Sequence, residues 1–478
     1  MPDTPRNLHL LGICGTAMAA LAGSLHALGY RVTGTDERAY PPMSDHLRRL
    51  GIAYSEGYRP ENIPPDTELV VVGNVVRESN PEAAEMRRRG LPYVSMAEAV
   101  QRFIIRARPT VAVVGTHGKT TTTALLAHLL VELGADPGFL IGGIARNFDS
   151  NFRVGFGNRF VIEGDEYDTA YFDKTPKFFK YRPTGVIFTS LEFDHADIYP
   201  DLDAIRVQFG RLLAGLPEAG VLVACADDPN VRALLPRAAC PAVTYGFSAG
   251  ADCRLGDWRA EGDGARFTAA WQGIPRVWSV PLPGRHNALN AAGALLMAQR
   301  LGYDPERIQA ALGTFRGVKR RQEVRGEADG VTVLDDFAHH PTAVRETLAA
   351  MRARYPGRRL WAVFEPRSFT ARSPRFQADW PGAFLGADRV LIAPAFRGTG
   401  SGDLLDTAAL AAAVGKLGPP AESAATNDAV LARLAAEVRP GDVVLMMSNG
   451  GFDNLHERLL TSLRERAARP SAGSDERQ

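Results

Sequence analysis

The stretch Val111-Ala112-Val113-Val114-Gly115-Thr116-His117-Gly118-Lys119-Thr120-Thr121-Thr122 decides how this chain is read. Four consecutive apolar residues make a buried strand, and the residues from about Thr120 to Leu133 make a helix that Gly134 closes. Between them the glycines let successive backbone N–H groups point at phosphate oxygens, Lys119 neutralises charge, and the Thr120 hydroxyl is placed to hold Mg²⁺. Gly115, Thr116, His117, Gly118, Lys119, Thr120 and Thr121 are therefore the expected nucleotide contacts, and the chain is expected to use ATP. The general pattern has a further glycine five residues before Gly118, where this chain has Val113, so the motif takes the shorter form G-x-x-G-K-T. A Gly-Lys turn opening an ordinary helix is the plain alternative; the preceding strand and the threonine run weigh against it.

Working outward, 478 residues are too many for one core and suggest about three domains. A formal net charge of +1 gives no sign of a nucleic-acid or membrane partner. Cys14, Cys225, Cys240 and Cys253 are far apart and form no CxxC pair, which fits a reducing cytoplasm. The N-terminus lacks the pattern of a signal peptide, and no apolar run approaches the ~20 residues of a membrane span.

Residues 8 to 36 read as strand, glycine turn, helix and strand, with Met18, Leu21, Leu25 and Leu28 on one helix face. The alternation continues through Leu69–Gly73 and Tyr93–Ser95, giving a first domain of residues 1–106. Strands at Phe160–Ile162, Gly185–Phe188 and Gly220–Val223 and a helix at Ala288–Leu301 extend a second domain over 107–321. Strands at Val331–Asp336, Leu360–Phe364, Arg389–Ile392 and Asp442–Met446 place a third over 322–466, ahead of a polar tail at 467–478 expected to be disordered. The fold class expected is α/β.

Two acidic clusters, Glu163-Gly164-Asp165-Glu166-Tyr167-Asp168 and Glu192-Phe193-Asp194-His195, each follow an apolar strand of the middle sheet. Strand ends at that edge face the phosphate loop. A hard cation prefers oxygen, so Glu163 and Thr120 make sound Mg²⁺ ligands and His195 a less usual one. Alone, either cluster would read as a solvated strand end. The loop Gly12-Ile13-Cys14-Gly15-Thr16-Ala17-Met18 either permits a tight turn or binds a pyrophosphate at the helix N-terminus, with Asp36 near a ribose. It lacks the third glycine of the NAD fingerprint, which disfavours a dehydrogenase. Cys14 reads as a packing residue rather than a nucleophile. Arg285-His286-Asn287-x-x-Asn290, Arg320-Arg321 and Asp335-Asp336-Phe337-Ala338-His339-His340-Pro341 gather functional side chains near the second junction, either closing over ATP or lining a solvated linker.

Taken together, in order, Gly115 to Thr121, Glu163, Asp194-His195, His286-Asn287-x-x-Asn290, Arg321 and Asp336-x-Ala338-His339 make the chain resemble the Mur ligase family, over roughly residues 8 to 460. The resemblance implies a Rossmann-like UDP-binding domain, a P-loop ATPase central domain and a Rossmann-like C-terminal domain, in an enzyme that forms an amide bond with ATP and Mg²⁺. It implies Lys119, Glu163, His195 and Arg321 as catalytic residues, with Thr120, Glu163 and His195 on the metal. Asn287 and Asn290 would contact adenosine, Arg321 the γ-phosphate, and Asp336 the ribose or the hinge. Gly12, Gly15, Thr16, Met18, Asp36 and Asn74 would hold the UDP part of UDP-N-acetylmuramate, and His339 and Arg367 would meet the other substrate.

Within the family, Tyr40-Pro41-Pro42-Met43-Ser44, Glu163 to Lys174 and Ser448-Asn449-Gly450-Gly451-Phe452 resemble the members that take a murein tripeptide in peptidoglycan recycling; those that take L-alanine are the alternative. A non-catalytic, ATP-switched binding protein is the reading from another class. Several members carry a carbamylated lysine about fifteen residues beyond the Asp-His histidine; Ile205 to Gly210 has no lysine, so none is expected here. A monomer or weak homo-oligomer is expected.

Overall fold

The computed structural model describes residues 5–39, 43–397 and 403–468. Three α/β sheets follow one another along the chain. In the first, β1 (Asn7–Leu11), β2 (Arg31–Asp36), β3 (Ala53–Glu56), β4 (Leu69–Val72) and β5 (Tyr93–Ser95) run parallel in the order β3-β2-β1-β4-β5. The helix Thr16–Ala27 returns the chain from β1 to β2, and Met18, Leu21 and Leu25 are buried under it. The order reverses between β1 and β4, the kind of crevice where doubly wound sheets bind ligands.

The middle sheet has ten strands: β6 (Thr110–Val114), β7 (Gly138–Ala145), β8 (Ser150–Arg153), β9 (Phe160–Glu163), β12 (Gly185–Phe188), β13 (Val221–Cys225), β14 (Ala242–Gly246), β15 (Cys253–Glu261), β16 (Gly264–Trp271) and β17 (Ile274–Val280). Its order is β17-β16-β15-β14-β13-β12-β6-β9-β7-β8. Strand β6 lies between β9 and β12, parallel to both, which is why every one of its residues is buried and Val111–Val114 is a continuous apolar run. Outside the sheet, β10 (Asp168–Ala170) and β11 (Asp173–Pro176) form an antiparallel hairpin. Its tip reaches the first sheet: Arg87 donates to the Tyr171 hydroxyl at 2.8 Å, and Phe172 packs edge-on against Tyr93 with centroids 5.0 Å apart.

The third sheet, β18 (Glu323–Ala328), β19 (Val331–Asp336), β20 (Leu360–Phe364), β21 (Arg389–Ile392), β22 (Ala421–Ser423) and β23 (Val443–Met447), has the order β18-β19-β23-β20-β21-β22 and is parallel except for β18. The last helix, Leu455–Ala468, corrects one expectation: the first two residues of the predicted tail 467–478 are helical, because Leu459, Leu460 and Leu463 anchor that helix in the core beside Val331 and Val333. The remainder of that tail lies outside the described residues, as do Tyr40, Pro41 and Pro42. Among the described residues, no helix is long and apolar enough to cross a membrane.

Candidate active site

The phosphate loop leaves β6 at Gly115 and enters the helix Lys119–Glu132 through Gly118, whose φ of +78° is a left-handed conformation that L side chains rarely adopt. A Cβ there would also collide with Asn290 Oδ1, so the loop is packed directly against the helix Arg285–Arg300. That contact explains the spacing of the asparagine pair: Asn290 donates to Asn287 Oδ1 at 3.1 Å, and Asn287 donates to Pro283 O at 2.8 Å and Gln322 Oε1 at 3.2 Å.

A cavity of about 700 Å³ opens above the loop, lined from the middle sheet, the junction and the third sheet. Thr116 through Thr121, Glu163 and His195 line it, as do Asn287, Asn290, Arg321, Asp336 and His339. Gly115 sits just behind, where its backbone carbonyl accepts from Lys119 Nζ at 2.6 Å. The sequence-based nucleotide set is thus gathered in one place.

Within the cavity the expected metal set divides. Thr120 donates to Glu163 Oε1 at 3.1 Å, and the second carboxylate oxygen accepts from the Gly142 N–H at 2.8 Å. A Cβ on Gly142 would strike that carboxylate, so the strand β7 glycine makes room for it. Burial raises the Glu163 pKa, against the opposing pull of Lys119 and Arg321. His195 instead meets Glu166, its Nε2 being 3.0 Å from Oε1; ligand-type atoms of Asp165, Glu166 and His195 lie within 4.8 Å of one another. Burial would lower the His195 pKa, but Glu166 and Asp194 raise it.

Glu166 was not singled out from sequence, yet it organises the site. Lys119 Nζ donates to both its oxygens at 2.9 Å. Burial alone would lower the Lys119 pKa; Glu166, Asp165 and Glu163 outweigh it and raise it, so the ammonium stays charged. Asp165 is held well below the usual carboxylate range by Lys177, at 2.6 Å, and by Lys119, despite its burial. The only sequence signal for Glu166 was its place in the acidic cluster, which does not say which carboxylate turns inward.

The junction with the third sheet closes the site. Arg321 donates to the Thr120 hydroxyl at 3.1 Å and lies 4.7 Å from the Phe337 ring centroid. Asp336 accepts from the Gln322 N–H at 2.7 Å and the Ala338 N–H at 2.8 Å, so its carboxylate fixes the backbone on both sides of the junction. Burial raises the Asp336 pKa and lowers that of Arg321. Thr370 donates to Asp194 Oδ1 at 2.6 Å and accepts from the His195 N–H at 3.2 Å. Gln322 and Thr370 had no signal in the sequence, because their roles depend on contacts across 35 and 176 positions.

The remaining expected residues lie elsewhere. Gly12, Gly15 and Thr16 form the turn after β1, Asn74 is exposed beside it after β4, and Asp36 closes it by accepting from the Cys14 N–H at 2.8 Å. Met18, the next of that set, is buried and packs in the first core. Arg367 does not line the cavity: it stacks 4.0 Å from the Phe396 centroid and pairs with Glu365 at 3.5 Å.

Three domain descriptions match this chain in turn: the Mur ligase family catalytic domain over residues 7–108, the Mur ligase middle domain over 113–298, and the Mur ligase glutamate ligase domain over 320–450. The chain belongs to the Mur ligase family. Among relatives of this family, it is 38% identical to the UDP-N-acetylmuramate–L-alanyl-γ-D-glutamyl-meso-2,6-diaminoheptandioate ligase of Escherichia coli K12, covering 96% of this chain and 99% of that one. It is 36% identical to the UDP-N-acetylmuramate–L-alanine ligase of Salinibacter ruber, covering 93% and 92%. A solved murein peptide ligase from Psychrobacter arcticus superposes with a TM-score of 0.74 at 34% identity, covering 96% of this chain and 98% of that one.

Proposed function

We propose that this Mur ligase joins L-alanyl-γ-D-glutamyl-meso-diaminopimelate to UDP-N-acetylmuramate, with ATP cleaved to ADP and phosphate through an acyl phosphate, in the cytoplasm. The observation that carries the reading is the gathering of the phosphate loop, two carboxylate clusters and Arg321 around one cavity, in a chain similar end to end to ligases of that tripeptide. Cuts near residues 106 and 321 divide the chain into its three working parts.

In this reading the lactyl carboxylate oxygen attacks the γ-phosphorus and ADP leaves, giving an acyl phosphate. The peptide amine then attacks the acyl carbon and phosphate leaves. Phosphorylation replaces a poor oxide leaving group with phosphate, so the protein's work is positioning and charge neutralisation. Lys119 shifts from Glu166 to the transferring phosphoryl group, and Arg321 reaches the γ-phosphate from the junction. Asn287 and Asn290 hold the base end, while the Gly12–Thr16 turn, with Asp36 and Asn74, holds the uridine nucleotide. His339 and Arg367 belong to the acceptor side.

The Thr120 hydroxyl and Glu163 carboxylate offer oxygen donors in the space that Gly142 leaves, a set that fits Mg²⁺. Bound there, Mg²⁺ would supply charge neutralisation at the phosphates, and His195 with Glu166 would be its neighbours on the substrate side.

The test is acceptor choice. With ATP and UDP-N-acetylmuramate, phosphate release should be far faster with the tripeptide than with L-alanine. The reverse preference would establish the L-alanine ligase instead, and tripeptide binding without phosphate release would establish a non-catalytic binding protein.

A further inference from the structure

We propose that His117, Glu192 and His340 form a binding site for a divalent transition-metal ion of the zinc class, distinct from the oxygen-donor pair Thr120–Glu163. Glu192 Oε2 lies 2.9 Å from His117 Nε2 and 3.4 Å from His340 Nδ1, and the three ligand atoms lie within 4.8 Å of one another. Ligands at about 2.0–2.1 Å from a tetrahedral ion are spaced by roughly 3.3 Å, so little movement is needed to receive one. Two imidazoles and one carboxylate suit zinc, cobalt or nickel far better than magnesium, leaving the fourth position to water.

A second observation points the same way. A neutral imidazole carries one N–H. His340 Nε2 lies 3.3 Å from the Phe193 carbonyl, which can only accept, so the proton belongs there. Nδ1 then accepts from the Thr342 N–H at 3.3 Å and lies 3.4 Å from Glu192 Oε2, so two acceptors face each other with no proton between them. A cation between Nδ1 and Oε2 would satisfy both, and the His117 proton would pass to its other nitrogen.

The three ligands come from the phosphate loop, the segment after β12 and the residue that caps the helix Pro341–Arg354. A bound ion would therefore fasten the third sheet's domain onto the phosphate loop. It would slow any cycle that needs the two to part.

The test is a titration of the full-length chain with Zn²⁺, and with Co²⁺ as a visible-absorbing probe, in excess Mg²⁺. One equivalent should bind, with the d–d bands of a tetrahedral cobalt site. His340→Asn keeps a capping oxygen for Thr342 while removing the ring, and should weaken binding by about tenfold or more. Glu192→Gln should do the same, and unchanged metal-free unfolding curves would show that each variant folds. Glu163→Gln should leave Zn²⁺ affinity within about twofold, since that carboxylate belongs to the other site. Equal binding by wild type and both ligand variants, loss of binding in Glu163→Gln, or no saturable binding by wild type would each overturn the assignment.

Discussion

The chain builds the same strand–glycine turn–helix corner twice, at Gly12–Gly15 and at Gly115–Gly118, and the two corners do different chemistry. Both lie at the end of a buried parallel strand and open a helix whose N–H groups point outward. At the second corner the helix begins with Lys119-Thr120, and three carboxylates, Glu163, Asp165 and Glu166, stand around the lysine. At the first it begins with Thr16-Ala17-Met18, has no cation of its own, and one N–H is already taken by Asp36. The backbone makes a place for phosphate; the two residues after the turn decide whether phosphate is only held or also transferred.

The sharpest way to break this contrast is Lys119→Ala. It should reduce ligation roughly a thousandfold, measured as phosphate release, while circular dichroism shows an intact fold. Substantial remaining turnover would mean that the second corner, like the first, only holds its ligand.

Matched glycine substitutions probe the backbone. Gly118→Ala should cost about 1–3 kcal/mol in urea unfolding, because it forces a side chain into the left-handed region. It should also weaken nucleotide binding through its collision with Asn290. Gly15→Ala should cost under about 1 kcal/mol, since Gly15 has φ −63° and its nearest obstacle is the Gly12 carbonyl at 3.4 Å. Equal costs would show that the two turns are under the same constraint.

Asp36→Ala removes the carboxylate that orders the first corner. It should raise KM for UDP-N-acetylmuramate about tenfold, corresponding to the ~1.5 kcal/mol of a charge-assisted hydrogen bond, with KM for ATP unchanged. An effect on ATP instead would place Asp36 in communication with the second corner.

The smallest effect concerns Cys14, whose thiol is pushed up to about 12 by burial first and by Asp36 second. About one in ten thousand would be thiolate at pH 8, so the native chain should show no fast thiol toward an aromatic disulfide reagent, and all four cysteines should react after unfolding. A fast native thiol would mean that the first corner opens readily in solution.

What could be read in the sequence follows from range. The strand and helix of each corner announce themselves through local apolar runs and a turn, so β1, β4, β6, β9, β12, β13, β19, β20, β21 and β23 were legible to within a few residues. The antiparallel meander β15–β17 was not: its outer strand exposes Ile274 and Val277, so the apolar pattern that marks a strand fades at the sheet's edge. The nucleotide residues were legible because their types are chemically demanding. Glu166, Gln322 and Thr370 were not, because nothing local distinguishes an inward carboxylate, amide or hydroxyl from a solvated one. Likewise, the sequence could bring Thr120, Glu163 and His195 to one cavity but could not foresee that His195 would turn to Glu166.

The central place of β6 also has a consequence for how the molecule comes to exist. Its register is fixed by Val111 opposite Gly185 on one side and Val161 on the other, partners some 74 and 50 positions further along the chain. Parallel pairings of such separation are slow, because a long stretch must be closed before any bond rewards it. The phosphate loop is thus shaped only after residues through β12 have emerged and docked, and Gly118 gains its Asn290 neighbour later still. Nucleotide capture by the nascent chain would therefore report, at the ribosome, that the whole middle sheet has been assembled.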